Sequence, residues 1–472
     1  REAHTVVGGC AGGFDRILRR PDAPRSFDRF RFDAGATTLS GLASGHPLRQ
    51  LFDRFDGPPP IRRVDPGMII HQRDSTRLSR FRDADAWIAE LERAFGSEGQ
   101  RAFWSDLSRL AATGWHLALR NRTFPPQNLR DYLGLVRPHN LRALPLLRSL
   151  PSSILDFAAR HRLAQNAPFL RLLDELTMIT AQNVAAKTPL IVGAMGLVYP
   201  EDTWYADGGL LAVAEWMERT FVDLGGDVRK KHEVTAIEPQ GSSWVVRTNR
   251  ETFLADRIVA NLTLQDLARV VSVPDCQLDA AIEVVPDGWG ALGLHMAVPS
   301  GFDDGGSLYH QIHADSLPHA SSGSIFVSFS AADDRLRAPE GFRTLSVSTH
   351  VADPGRWVVM KRDDPEAYRR CRQEATTAIL TILAQQFPTM RIEDAPILLP
   401  ATPASFAFFT RRHGGAVGGI PHTTDRSLFA MPNYRTPFEG IGIVGDTVFP
   451  GQGVPAVILG AMNLVDSRMF GG

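Results

Sequence analysis

The residues best suited to chemistry lie near the C-terminus. Gly445-Asp446 closes an apolar run at residues 440–444 that reads as a strand, and Pro450-Gly451-Gln452-Gly453 follows before a helix opening at Val454-Pro455. The first turn of such a helix carries N–H groups with no helical partner, and its dipole adds positive potential, so the loop suits an anionic or electron-rich ligand. Gly453 lets a ligand approach the backbone, and Pro455 fits the first helical turn. Taken alone, the glycines also read as an ordinary buried strand-to-helix turn.

The other candidates support less. Gly8-Gly9-Cys10-Ala11-Gly12-Gly13 follows Thr5-Val6-Val7 but lacks the first, third and sixth glycine spacing of a dinucleotide fingerprint, and Pro21 and Pro24 break any helix after it. His71, His295, His310 and His313 include one His-x-x-His pair without the carboxylates of a metalloprotease, so they read as strand or loop residues and no metal site is expected. Asp333-Asp334 and Asp363-Asp364 read as solvated charge or helix caps. Neither a Gly-x-Ser-x-Gly elbow nor a Gly-x-x-x-x-Gly-Lys-Ser/Thr loop occurs. Cys10, Cys276 and Cys371 are too scattered for a disulfide framework, which suggests a reducing compartment.

The elements that must hold these residues follow from periodicity. Residues 31–35 alternate like a strand entering a glycine turn, and 48–55 reads as a short helix. Trp87, Leu91, Phe95, Phe103, Leu107, Leu110 and Trp115 recur at helical spacing across residues 83–119, divided by Gly96-Ser97. Helical pieces continue at 128–136, 152–163 and 166–184, separated by prolines. After Gly208-Gly209 come a helix to Leu224, strands at Val228 and 234–237, and a hairpin over 244–259. Alternation over 290–351 predicts an antiparallel sheet, crossed by a helix at 364–387, and the last helix runs to Met469.

The chain has 472 residues, 43% of them hydrophobic, with 51 Lys+Arg against 52 Asp+Glu and a net charge of −1. That balance excludes a disordered tail and the basic field of a nucleic-acid binder, so no nucleic-acid partner is expected. The length allows two interleaved domains, and no apolar stretch reaches the roughly 18 residues of a membrane span. Residues 116–165 hold eight arginines and two aspartates interleaved with leucines. This pattern fits either a surface lying on anionic lipid or a helical subdomain whose leucines face its own core.

Residues 445–456, Gly-Asp-Thr-Val-Phe-Pro-Gly-Gln-Gly-Val-Pro-Ala, resemble the C-terminal flavin motif of the phytoene desaturase and carotenoid cis-trans isomerase family, a branch of the FAD-dependent, amine-oxidase-like flavoproteins. Residues 2–14, 31–42 and 204–237 resemble, in order, the family's Glu-x-x-x-x-x-Gly-Gly, Phe-Asp-x-Gly-x-Thr and Gly-Gly-helix-to-Val-x-x-Ile segments. The resemblance implies an α/β fold: a Rossmann-like FAD domain over 1–60, 201–275 and 436–472, and a substrate domain over 61–200 and 276–435, its sheet mostly antiparallel, with a helical insertion near 84–184. It implies that Glu2 holds the adenosine ribose, that Gly8 and Gly9 let the backbone pass close to FAD, and that Gly35 and Ala36 lie near the flavin. Val234 would meet the adenine through its main chain, Asp446 the ribityl or phosphate end, and Gln452, Gly453, Val454 and Pro455 the isoalloxazine, with Gly445 also among the cofactor-binding residues. Because the family's first βα unit precedes the position of Glu2, the chain is expected to be N-terminally truncated.

The activity so implied is oxidation of a long hydrophobic polyene, with FAD accepting hydride. Isomerisation by reduced FAD, polyene saturation, a non-catalytic carotenoid-binding relic and a soluble amine- or porphyrinogen-type oxidase are the alternatives. A polyene dissolved in lipid favours the lipid-surface reading of residues 116–165, hence a cytoplasmic protein peripheral on the inner face of the cell membrane.

Overall fold

The computed structural model describes residues 6–20, 25–138, 140, 151–272 and 288–467. A tight glycine turn leads into β1 (Gly13–Arg19), paired antiparallel with β2 (Phe27–Asp33). The helix expected at 48–55 is α1 (Pro47–Arg54), and β3 (Ile61–Arg63), β4 (Met68–His71) and β5 (Arg77–Arg80) follow. The helical layer then begins with α2 (Ala84–Phe95), capped by the Asp83 carboxylate, and α3 (Gln100–Arg120). It continues through α4 (Leu129–Leu135), α5 (Ile154–Arg160), α6 (Ala167–Ala181) and α7 (Leu190–Val198). Trp87, Leu91, Phe103 and Leu107 are buried together as their spacing predicts. Gly114 lets α3 approach α7, since a Cβ there would lie 2.8 Å from Met195 Sδ.

β6 (Trp204–Ala206) pairs with β3 and runs through Gly208-Gly209 into α8 (Leu210–Asp223). No strand forms at Val228, where one valine among Asp227, Arg229, Lys230 and Lys231 offers no apolar face for pairing. β7 (Val234–Gln240), β8 (Ser243–Thr248) and β9 (Thr252–Ala255) make a three-stranded meander, followed by β10 (Ile258–Ala260) and α9 (Leu264–Val270).

β11 (Gly290–Pro299), β12 (Tyr309–His313), β13 (Ser324–Phe329) and β14 (Phe342–Val351) form the expected antiparallel sheet. Two helices cross back, α10 (Pro354–Asp363) and α11 (Pro365–Gln386), and β15 (Ile397–Ala401) and α12 (Pro403–Thr410) follow. β16 (Ile441–Ile443) pairs in parallel with β10 and leads to α13 (Val454–Val465). That helix ends at Val465; Met469 lies outside the described residues. The main sheet has seven strands in the order β15-β11-β14-β13-β12-β4-β5, with β4 parallel to β12. The fold is α/β.

One face of this sheet is covered by α11, where Leu294, Met296, Val327 and Leu345 meet Ile379, Leu383 and Phe387. His71 and His310 sit at the α11 end of the same interface. His310 Nε2 donates to the Ser307 carbonyl at 3.0 Å, which leaves Nδ1 to accept from His71 Nε2 at 3.0 Å. Burial keeps both rings neutral and pushes their pKa down, to about 3 for His71 and about 4 for His310.

The N-terminal β-ribbon is pinned to the rest by a buried ion pair. Arg337 donates to Asp33 Oδ2 at 2.7 Å and to the Arg31 carbonyl at 2.8 Å, while Asp33 Oδ1 accepts from Leu210 N at 3.0 Å. Arg337 and Asp33 are only 3% and 5% exposed. Gly209, at φ 78°, is required there, because a Cβ would fall 2.2 Å from the guanidinium and 2.6 Å from Asp33 Oδ1. Asp334 departs from the solvated reading: it is buried and accepts from the Tyr205 hydroxyl and from Gly208 N. Asp364 caps α11 as expected, through Ala367 N.

Asp33→Ala, which leaves the buried guanidinium without its anion, should lower unfolding free energy by roughly 3–5 kcal/mol, and Asp33→Ala/Arg337→Met should recover part of that loss in urea titrations. The histidines give a pH dependence of definite sign. Their folded pKa values lie below the ordinary 6.5, so the unfolded chain binds more protons between about pH 4 and 6.5. Stability should therefore fall as pH drops through that window, by about 1 kcal/mol per buried imidazole at pH 5.5, and the urea midpoint of His71→Phe/His310→Leu should fall less steeply.

Candidate functional site

One cavity of about 2390 Å³ brings the expected segments together. It is larger than the ~300–1,000 Å³ typical of a small-molecule pocket and has room for a dinucleotide and a long chain. Gly8, Gly9, Gly35 and Ala36 line it from the N-terminal turn, Val234 from the start of β7, and Gly445, Asp446, Gln452, Gly453, Val454 and Pro455 from the C-terminal motif. Glu2 lies outside the described residues.

The two N-terminal stretches are bound to each other. Ala36 N donates to the Cys10 carbonyl at 3.1 Å, and a Cβ on Gly35 would lie 2.8 Å from that oxygen. Gly8, at φ 112°, packs against α8, where a Cβ would come within 3.1 Å of Ala214 Cβ, while Gly9 faces open space. Close packing thus accounts for Gly8 without a ligand.

At the C-terminal motif, Gly453 caps α13 with no side-chain hydrogen bond, so the first-turn N–H groups face the cavity unfilled by protein. A Cβ on Gly453 would meet nothing nearer than Pro455 Cδ at 4.0 Å. The space beside this helix end is open, as an occupant held there requires. Gln452 is anchored elsewhere, its amide donating to the Thr180 carbonyl of α6 at 2.9 Å.

Asp446 has a partner that spacing alone does not reveal. Arg412 donates to both of its carboxylate oxygens, at 2.8 and 3.0 Å, and to the Gly418 carbonyl at 2.8 Å. Burial opposes the guanidinium charge, but Asp446 and Cys10 outweigh it and hold Arg412 protonated. Arg412 lines the cavity, while its Nε is buried without a hydrogen-bond partner among the described residues. The chain around it is tightly interlocked. A Cβ on Gly419 would fall 1.8 Å from the Asp446 carbonyl oxygen, and one on Gly418 would strike Gln182 and Gln452. The open helix end and the free space beside Gly453, with the charged Arg412 in the same cavity wall, fit an electron-rich, anionic cofactor.

The segment at residues 116–165 divides. Ile154 is fully buried in the helical core, as the subdomain reading has it. Leu129, Tyr132 and Leu133 of α4 and its C-cap Val136 are 75%, 49%, 62% and 77% exposed, an apolar stripe at i, i+3, i+4 and i+7. Leu135, Val136 and Arg137 line the cavity, which places the C-terminal end of α4 at its rim. Arg142 and Arg148 lie outside the described residues. Among the described residues no helix is long and apolar enough to cross a membrane.

No family model matches the sequence. Prolycopene isomerase 1 of an Oncidium hybrid cultivar, a chloroplastic protein, is 25% identical over 487 aligned positions covering 97% of this chain and 77% of the relative. The chain is a homologue of the prolycopene isomerases. A 4,4'-diapolycopene oxygenase from Methylomonas is 24% identical over 57% of this chain and 55% of its own. Among solved structures, an oxidoreductase from Methanosarcina mazei aligns over 98% of this chain and 92% of its own with a TM-score of 0.60 at 14% identity. A putrescine oxidase variant from a redesign of cofactor binding aligns over 98% and 90% with a TM-score of 0.59 at 13% identity. These structures share the fold.

Asp446→Ala should strand the buried Arg412 charge and cost roughly 3 kcal/mol of stability. Urea unfolding of Asp446→Ala beside Asp446→Ala/Arg412→Met checks this, the double variant being the more stable of the two.

Proposed function

We propose that the chain is an FAD-dependent oxidoreductase that acts on a long-chain polyene. The observation carrying this reading is the cavity of about 2390 Å³ that runs from the Gly-Asp and Gly-x-Gly turns to the apolar rim at the end of α4, in a chain alignable over 97% of its length with a prolycopene isomerase. FAD, when bound, supplies hydride transfer at its flavin ring. The α13 N-terminus and Gly453 would receive the ring, Gly35, Ala36, Gly445 and Gln452 would shape its surroundings, and Arg412 with Asp446 would present hydrogen-bonding charge beside it. Gly8, Gly9 and Val234 would lie along the adenosine half, with Glu2 on the ribose. The apolar walls hold the reacting carbon and exclude water, and that positioning is the protein's main contribution.

A second reading is cis-trans isomerisation by reduced FAD with no net redox change. The alignment with a prolycopene isomerase over 97% of the chain supports this reading as well. Delivery follows from the rim: the exposed α4 stripe, with Arg130 and Arg137 beside it, is suited to an anionic membrane surface from which a polyene could enter.

Flavin released from the purified protein should be FAD, and recovery of FMN alone would refute the assignment. Mass analysis of polyene products separates the two readings, as loss of two hydrogens marks desaturation and an unchanged mass isomerisation. Gly453→Val should abolish flavin retention with the fold intact by far-UV circular dichroism. In flotation assays the protein should rise with anionic vesicles at low salt and detach as salt shortens the ~10 Å Debye length, and Leu129→Asp/Leu133→Asp should stay in the soluble fraction.

A further inference from the structure

The main sheet has two chemically different faces. On β14 the side chains alternate, so Leu345 and Val347 pack under α11 while Ser346, Ser348 and His350 face the cavity. The neighbouring strands repeat this, with His295 of β11 and Ser328 of β13 on the cavity side. The floor of the cavity therefore sets these polar groups beside Ala291, Gly293 and Phe326, and the helices around it contribute Ile179, Ile191, Met195 and Phe406. A plain hydrocarbon needs no such floor, and burying hydroxyls beside it is unfavourable unless they find partners.

Most of these groups do find partners within the protein. Ser328 Oγ bonds Thr37 Oγ1 at 2.6 Å, and Ser346 Oγ bonds His295 Nδ1 at 3.0 Å. Ser348 and His350 differ. Both line the cavity, both are half-buried, and neither side chain has a hydrogen-bond partner among the described residues. They stand two residues apart on one face of β14, about 7 Å from each other along the strand. Gly293 pairs with Ser348 across β11 and β14 and leaves the floor bare next to the hydroxyl. Burial holds the His350 imidazole neutral, its pKa about 4, so it offers one N–H donor and one ring-nitrogen acceptor. Trp289 meets the ring edge-on at 6.3 Å.

We infer that Ser348 and His350 form a subsite for a neutral oxygen function, a hydroxyl or carbonyl carried by the polyene, so that the substrate is an oxygenated polyene rather than a hydrocarbon. A carboxylate does not suit the site, since the imidazole carries no charge and the nearby Glu175 acts on His350 as a negative charge. The inference rests on the polyene reading and narrows its substrate class.

Equilibrium binding to the purified flavoprotein, read from the shift in polyene absorbance in detergent micelles, tests it with four probes of equal chain length: a hydrocarbon, an alcohol, a ketone and a carboxylic acid. The alcohol and ketone should bind about tenfold tighter than the hydrocarbon and the acid, the effect of one or two neutral hydrogen bonds. Ser348→Ala/His350→Phe should erase that preference while still binding the hydrocarbon, which also shows that the variant is folded. His350→Gln, which keeps a donor and an acceptor, should retain it, and so should Ser328→Ala. Equal wild-type affinity for alcohol and hydrocarbon, or a preference surviving in the double variant, would overturn the subsite. Failure of all four probes to bind would instead overturn the polyene reading on which it stands.

Discussion

The pairing of Arg337 with Asp33 decides how the molecule is assembled. Its partners come from three separate parts of the chain: the strand end at Asp33, the loop before β14, and the start of α8. Two charges removed from water at this depth are tolerable because each has further hydrogen bonds, the guanidinium to the Arg31 carbonyl and the carboxylate to Leu210 N. The consequence is positional. The segment after Asp33 becomes a fixed wall, and Gly35 and Ala36 can be held against the Cys10 turn on one side of the large cavity.

A second charged pair, Arg412 with Asp446, does the same at the other side of that cavity. Here the satisfaction is incomplete, because one guanidinium nitrogen has no protein partner among the described residues. Arg343, paired with Asp304 away from the cavity, likewise keeps one guanidinium nitrogen without a partner among the described residues, so position and not the surplus donor sets the Arg412 pair apart. The first pair lies between the β-ribbon, the loop before β14 and α8, and the second lines the cavity.

Much of the architecture could be read from periodicity. Trp87, Leu91, Phe103 and Leu107 point to α2 and α3 because a helix buried on one side repeats its apolar residues, and the alternation around Leu345 and Val347 marks a strand for the same reason. The glycine motifs were also visible, and the cavity gathers them, although packing against Ala214 rather than any ligand explains Gly8. Arg412 escaped because its meaning depends on Asp446, 34 residues away in sequence, and a lone arginine among many carries no signal. Asp334 looked like surface charge because a local pattern cannot register Tyr205 and Gly208 closing over it. Val228 failed as a strand because one valine between charged residues has nothing to bury.

The crossing of Gly418 and Gly419 over the Gly-Asp turn bears on how such proteins can be recombined. With a Cβ on Gly419 landing 1.8 Å from the Asp446 carbonyl oxygen, the two backbones touch without an intervening side chain. Neither segment can change its path unless the other yields, so residues 402–455 behave as one exchange unit. A chimera joined between Gly419 and Asp446 would inherit two loops shaped for different neighbours, while a junction before Thr402 carries the Arg412 pair and the α13 cap across as a matched set.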